Sequence, residues 1–342
     1  RPVWKRSNGF LSRYMIDSLA SVKYAVLDKT ETPPRGFEKI GENENYNIYR
    51  NNYSMPLGVV IDQTISIEDF EKLSIRQKDV ALLNCIVSDD IQESNLTQYQ
   101  NELNVESEEI TLEEMYLEGI TLAGKNDMYE IQCESEDFNR ICLQTKDMQW
   151  TEGNEYIVSF KIYSPTENSI FIQWNEGDVW KQKIISVTEG MNNVNFTIDY
   201  KNTDTLCMYF QKGTYQIGNL HYESSSEDAI DEVYQSGISE KSFLQMDTYE
   251  NNLITGTIET EKDSFLLFMI PFDKNWELYV DGKEAQLQQV DYGFMGSRIA
   301  AGNHAIKLDY VPDSNAIPVY ISIVGIILLA GYILLLKKKS RG

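Results

Sequence analysis

Strict alternation of apolar and polar residues marks the middle of the chain. Tyr156, Val158, Phe160 and Ile162 share one face of EYIVSFKIY, Ile170, Ile172 and Trp174 one face of SIFIQW, and Val194, Phe196 and Ile198 one face of NVNFTIDY. A period of two puts every second side chain on the same side of an extended strand, so these segments predict half-buried strands. Short strands at roughly 10–15-residue spacing, separated by Asn, Gly and Glu turns, predict an antiparallel sandwich with jelly-roll connectivity over residues 110–226.

The flanks are patterned differently. Residues 1–109 read as a small mixed α/β region: MIDSLASVKYAVLD gives a short helix leading into a strand, Pro33-Pro34 breaks the pattern, and NYNIYRN and LGVVID follow as strands. Ser66, with Asp69 three residues on, caps a helix in which Ile67, Phe70 and Leu73 recur at helical spacing, predicted to continue to about residue 85. The polar stretch from there to Ser107 reads as a surface loop or weak helix, and the acidic, Ser-rich segment 227–240 as a linker or short helix. Residues 241–314 predict a second small β-sandwich. Its central strand, Phe265 to Ile270, is apolar on both faces, and its hairpin turns at Asp281-Gly282 in the positive-φ geometry of a type I′ turn. A second hairpin is expected at Gly302-Asn303, with Pro312 ending the sheet.

Residues 315–342 change class again. Ile317 to Leu336 holds no charged residue; at about 1.5 Å per residue such a run crosses the roughly 30 Å core of a bilayer. Lys337, Lys338, Lys339 and Arg341 follow it. The positive-inside rule puts this basic tail in the cytoplasm and the body outside the cell membrane. RPVWKRSNGFLSRYM has no apolar core of a signal peptide, so a parent with an upstream membrane segment is expected, a cytosolic tail-anchored body being the alternative.

Charge narrows the partners. The net charge is −23, and setting aside the four basic tail residues leaves −27 for the rest, which repels nucleic acid and other polyanions. Of the four cysteines, only Cys133 and Cys142 are close in sequence. Cys142 faces away from Ile141 and Leu143, so four free, mostly buried thiols are expected. With two histidines, His221 and His304, and no CxxC, the sequence gives no metal site or cofactor. Asp273, Asn275 and Glu277 have calcium-loop spacing but lack its glycine and distal glutamate, and read as a turn leading into a strand. No nucleophile elbow, HExxH or P-loop occurs, and Glu134 with Glu136 reads as a solvated face, so no catalytic residue is assigned. The best binding candidate is the turn NEGDV between Trp174 and Trp180. Trp174 shares the buried alternation, whereas an exposed Trp180 ring can stack on a sugar while Asn175 and Asp178 take its hydroxyls.

Two stretches resemble one known family. YMIDSLASVKYAVLD with YNIYRNNYSMPLGVVID is similar to a segment of bacterial YfhO-like membrane proteins, although Ser21 replaces the usual glycine and Met55-Pro56-Leu57 the common Leu-Pro-Arg. FLLFMIPFDKNWELYVDGKEAQLQQVDYGFMGSRIAAGNHAIKLDYVPD resembles that family's last ectodomain unit, through Pro271, Trp276, Asp281-Gly282, Phe294, Gly302, His304 and Tyr310. The resemblance implies a multi-span parent with a GT-C-like membrane domain. Such a parent adds sugars from a polyprenyl-phosphate donor to lipoteichoic acid or a related surface polymer, and this part is non-catalytic. The implied partners are the upstream transmembrane domain of the same chain, a surface glycan, and the bilayer through Ile317–Leu336. The alternative is a membrane-tethered carbohydrate-binding or adhesion module with no enzymatic activity.

Overall fold

The alternating segments pair as their period requires. The computed structural model describes residues 13–29, 31, 33, 35–91, 96–112, 115–124, 128–136, 139–144, 150–199, 205–239, 241–312 and 325–329. Asn154–Ser164 and Gly190–Asp199 run antiparallel, Tyr156 opposite Ile198 and Phe160 opposite Val194, so faces read from sequence coincide in space. Both strands belong to a seven-stranded sheet. A five-stranded sheet packs against it in the order Val179–Val187, Asn168–Glu176, Thr205–Tyr209, Arg140–Gln144, Tyr116–Glu118. Phe160, Ile162, Ile172, Trp174, Phe196 and Met208 fill the space between the two sheets in one buried cluster. Each such side chain contributes roughly 1.5–3 kcal/mol on burial. The chain is mainly β, and its central segment is the expected two-sheet sandwich.

The thiols depart from expectation. Cys142 does face away from Ile141 and Leu143, but Cys207 faces the same way on the neighbouring strand, directly opposite, and the two form a disulfide. The bond closes a sequence separation of 65 residues, which strand pairing across the sheet brings together and no local spacing reveals. Cys85 and Cys133 are free and buried. Burial pushes the Cys133 thiol up to about 12.

The two ends of the chain share a core. Gly58–Ile61 pairs with Ser264–Pro271, Val59 opposite Leu267 and Ile61 opposite Phe265. On its other edge Ser264–Pro271 pairs with Phe294–Ile299. Phe265 to Ile270 is therefore the central strand its two apolar faces predict. Phe265, Leu267 and Met269 pack with Tyr14, Met15, Tyr49 and Tyr234. Leu266 and Phe268 pack with Ile254, Leu278, Ile306 and Leu308. Residues from the 1–109 and 241–314 segments thus build one body, and the sandwich is inserted between them in sequence.

Several local expectations change. The turn at Asp281-Gly282 is as predicted, with φ 52° and 76°. Gly302-Asn303 is not a hairpin turn: Phe294–Ile299 stays in the sheet of Ser264–Pro271, while Gly302–Tyr310 pairs with Leu253–Thr260 and Trp276–Val280 in another sheet. At Gly296 a Cβ would run into the Phe265 ring and the Leu266 carbonyl, so this glycine lets its strand lie close on the central one. Ser66 caps only Ile67–Glu71, because Ser74 and Gln77 form a capping box that starts a second helix, Ile75–Asn84. The polar stretch after it contributes Ile86–Val87 and Thr97–Gln98, which pair in parallel on either side of Gln63–Ile65. Of the two forms expected for 227–240, a linker or a short helix, the chain takes the helix, Glu227–Ser239. Ile230 and Tyr234, four residues apart, bury one of its faces in the shared core.

Sandwich and body are locked together by charge. Glu223 of the sandwich accepts from the N–H groups of Ile75 and Arg76 at 2.9 and 3.0 Å, a carboxylate at a helix N-terminus. The buried Arg76 side chain forms an ion pair with Glu155 of the sandwich and lies 4.0 Å from Asp79, which Arg13 also pairs. The expected span Ile317–Leu336 lies outside the described residues apart from the helical stretch 325–329, and the basic tail lies wholly outside them. Among the described residues no helix is long and apolar enough to cross a membrane.

Candidate functional site

A sandwich buries one face of each sheet and leaves the other to solvent, where polar residues are the rule. The outer face of the five-stranded sheet breaks that rule. Register places Glu118, Arg140, Tyr209, Phe171 and Ile184 side by side across the strands in one row, and Tyr116, the Cys142–Cys207 disulfide, Gln173 and Gln182 in the next. A third row holds Thr205, Asn175 and Trp180 near the end of the sheet. Tyr116 is 56% exposed, Phe171 40% and Trp180 59%, large apolar surfaces held open on a rigid sheet. Four residues of strand separate the row of Phe171 from that of Trp180, a reach of about 14 Å.

Polar groups lie between the rings. Arg140 Nε donates to Glu118 Oε2 at 2.5 Å and its Nη1 to the Tyr209 hydroxyl at 3.4 Å. The hydrogen bonds to Tyr209 and Glu118 push the guanidinium still further up. Beside Phe171 and Tyr209 the face opens into a groove of about 600 Å³, rimmed by Lys212 and Glu136, which pair at 2.6 Å. That volume suits a small ligand. Two oppositely charged pairs, Arg140 with Glu118 and Lys212 with Glu136, thus lie beside the exposed rings.

Of the residues expected at the site, Trp180 stands exposed, as expected, and Asp178 is exposed in the two-residue turn with Gly177. Asn175 is buried and committed to the turn: its Oδ1 accepts from Thr205 N at 2.9 Å and its Nδ2 donates to Gly177 O at 3.2 Å. These two bonds tie the turn before Trp180 to the neighbouring strand. Tyr116, Phe171, Tyr209, Gln173 and Arg140 escaped notice. A signal was there for Phe171, an aromatic at the polar phase of SIFIQW.

The other sequence features are structural. Asn275 N donates to Asp273 Oδ1 at 2.9 Å, a turn that opens the strand Trp276–Val280. Trp276 packs edge-on against Tyr310 at 5.0 Å, and His304 Nδ1 lies 2.8 Å from Asp281 Oδ2, so these residues brace one another. The contact with His304 holds the Asp281 carboxyl below its usual range. Among the described residues no group of three or more His, Cys, Asp or Glu could hold a metal ion.

A carbohydrate binding module of family 29, in a mutant form, is 14% identical, with 36% of this chain and 96% of that one covered and a TM-score of 0.30. The C-terminal CBM6 of LamC from Zobellia galactanivorans is 12% identical, with 34% and 98% covered and a TM-score of 0.28. The "Uncharacterized protein YfhO" of Bacillus subtilis (strain 168) is 26% identical over 323 residues, which is 92% of this chain but 36% of that protein's length. The family described as "Bacterial membrane protein YfhO" matches residues 4–322, so the chain belongs to the YfhO family of bacterial membrane proteins.

Proposed function

We propose that this chain is an extracytoplasmic, non-catalytic part of a multi-span YfhO protein, and that the outer face of its five-stranded sheet holds a neutral glycan. One observation carries the reading: Tyr116, Phe171 and Trp180 stand exposed on a single sheet face, interleaved with planar polar groups. The apolar face of a pyranose ring stacks on an aromatic ring, and its hydroxyls meet amides and a guanidinium; Gln173, Gln182 and Arg140 supply these. Glu118 and Glu136 are each paired to a cation, an arrangement suited to orienting hydroxyls. A net charge of −23 disfavours a polyphosphate ligand and leaves a neutral glycan the better match. The disulfide Cys142–Cys207 agrees with a place outside the cytoplasm, where such bonds persist.

In this reading Trp180 is the outer stacking residue, Asp178 accepts a hydroxyl beside it, and Asn175 holds their turn. The parent's catalytic residues lie in its membrane domain, which transfers sugars to lipoteichoic acid or a related surface polymer, and the sandwich presents the growing glycan to it. The span Ile317–Leu336 anchors the chain in the cell membrane with its tail inside.

Calorimetric titration of the chain with neutral glucose- and galactose-based oligosaccharides tests the binding face. Trp180→Ala should weaken binding ten- to hundredfold, the value of one buried aromatic ring. Affinity unchanged in both Trp180→Ala and Phe171→Ala would remove the sheet face from consideration.

A further inference from the structure

A second cavity lies in the composite body and shares no lining residue with the aromatic face. It is a cleft of about 950 Å³ where Gln63, the stretch from Thr97 to Glu102, the C-terminal end of helix Glu227–Ser239 and the turn from Thr260 to Ser264 converge. This volume lies at the upper end of the range for small-molecule sites. Its walls come from both ends of the chain, so it exists only once the shared core has formed.

The lining chemistry is specific in kind. Residues with amide and hydroxyl side chains dominate the lining, among them Gln63, Gln98 and Gln100. Each glutamine amide can both donate and accept, which is what a vicinal diol requires of its partner. Lys262 pairs with Asp62 at 2.5 Å, and Lys241 donates to Asn84 Oδ1 at 2.9 Å, so both ammonium groups already have partners within the wall. Asp62, Glu102 and Glu261 outnumber these two lysines, which disfavours a phosphate or carboxylate ligand. Tyr99, Val60 and Val233 are the apolar part of the wall, and burial pushes the Tyr99 phenol up.

We infer that this cleft is a second ligand site that takes a neutral, hydroxyl-rich molecule of disaccharide size. It recognises the ligand through the amides of Gln63, Gln98 and Gln100, without the aromatic stacking of the sandwich face. The inference stands on the cleft alone and survives whether or not the sandwich binds glycan.

The test is titration of the chain with maltose and gentiobiose, and with glycerol 3-phosphate as an anionic counterpart. The variants are Gln98→Ala/Gln100→Ala, both exposed positions whose truncation leaves the core untouched, and Trp180→Ala for the other face. Loss of two amide contacts should weaken disaccharide binding roughly tenfold. Trp180→Ala should leave this component of binding unchanged, and glycerol 3-phosphate should not compete. Absence of disaccharide binding up to about 10 mM, which corresponds to less than about 3 kcal/mol of binding free energy, overturns the inference. Binding that the glutamine variant leaves intact, or that Trp180→Ala alone abolishes, overturns it too. The second of these results would support the sheet face instead.

Discussion

The sandwich and the composite body hold similar apolar cores by different routes. Residues 106–226 close their core with a continuous stretch of chain, each strand meeting others from the same stretch. The body instead threads Ser264–Pro271 between Gly58–Ile61 and Phe294–Ile299, and packs its two faces with residues from both ends of the sequence. Closing the second arrangement means bringing together segments about 200 residues apart, a larger loop to close. The contrast also divides the candidate sites: the aromatic face belongs to the self-contained unit, whereas the polar cleft appears only where the ends of the chain meet.

The difference can be broken at three places. Phe268→Ala, in the central strand of the body, should cost about 3–5 kcal/mol through lost burial and the cavity left behind. Amide exchange should then accelerate together in 58–61 and 264–271 while 154–164 stays protected; Phe196→Ala in the sandwich should reverse this. Equal loss of protection in both regions would show that the two cores melt as one. Next in size is Arg76→Ala, which leaves Glu155 and Asp79 buried without their common partner and should cost about 3 kcal/mol. Because Arg76 bridges sandwich and body, its loss should raise exchange on both sides of that contact, an outcome a change within either core does not give.

The smallest effect expected is pH-dependent and lies in the body alone. Asp291 is buried there, its Oδ1 accepting from Val87 N at 2.7 Å, and burial raises its carboxyl to about 7. A folded value above the unfolded one means the native state binds the extra proton, so this group's contribution is complete below about pH 4 and is lost as pH rises to about 7. Asp291→Asn keeps the acceptor without the charge. Between pH 5 and 7 its stability should therefore fall less than the parent's by roughly 2 kcal/mol, measured by urea unfolding at each pH. Equal pH dependence in the two proteins would contradict a buried, protonated Asp291.

How far the sequence could be read follows the same division. Alternation in 156–162, 170–174 and 194–198 predicted the sandwich and the burial of Trp174, because a strand's two faces are written in adjacent residues. The acidic, Ser-rich segment 227–240 left linker and short helix both open, and packing of Ile230, Tyr234 and Val233 on the shared core decides for the helix. The crossing after Phe294–Ile299 was misread as a hairpin because local pattern gives a strand's ends and not its partners.

At the candidate site an exposed Trp180 was expected from the sequence, but the company it keeps was not. Tyr116, Phe171 and Tyr209 reach one face only through strand order, and the Cys142–Cys207 bond only through register. Sequence by itself determined the strand-rich character, the Asp281-Gly282 turn, the central apolar strand and the acidic charge, because each is a property of neighbouring residues. Tertiary structure alone decided the disulfide, the shared core of the two chain ends, the aromatic face and the polar cleft. Each of these depends on which distant segments meet, and that is fixed by packing of the whole chain.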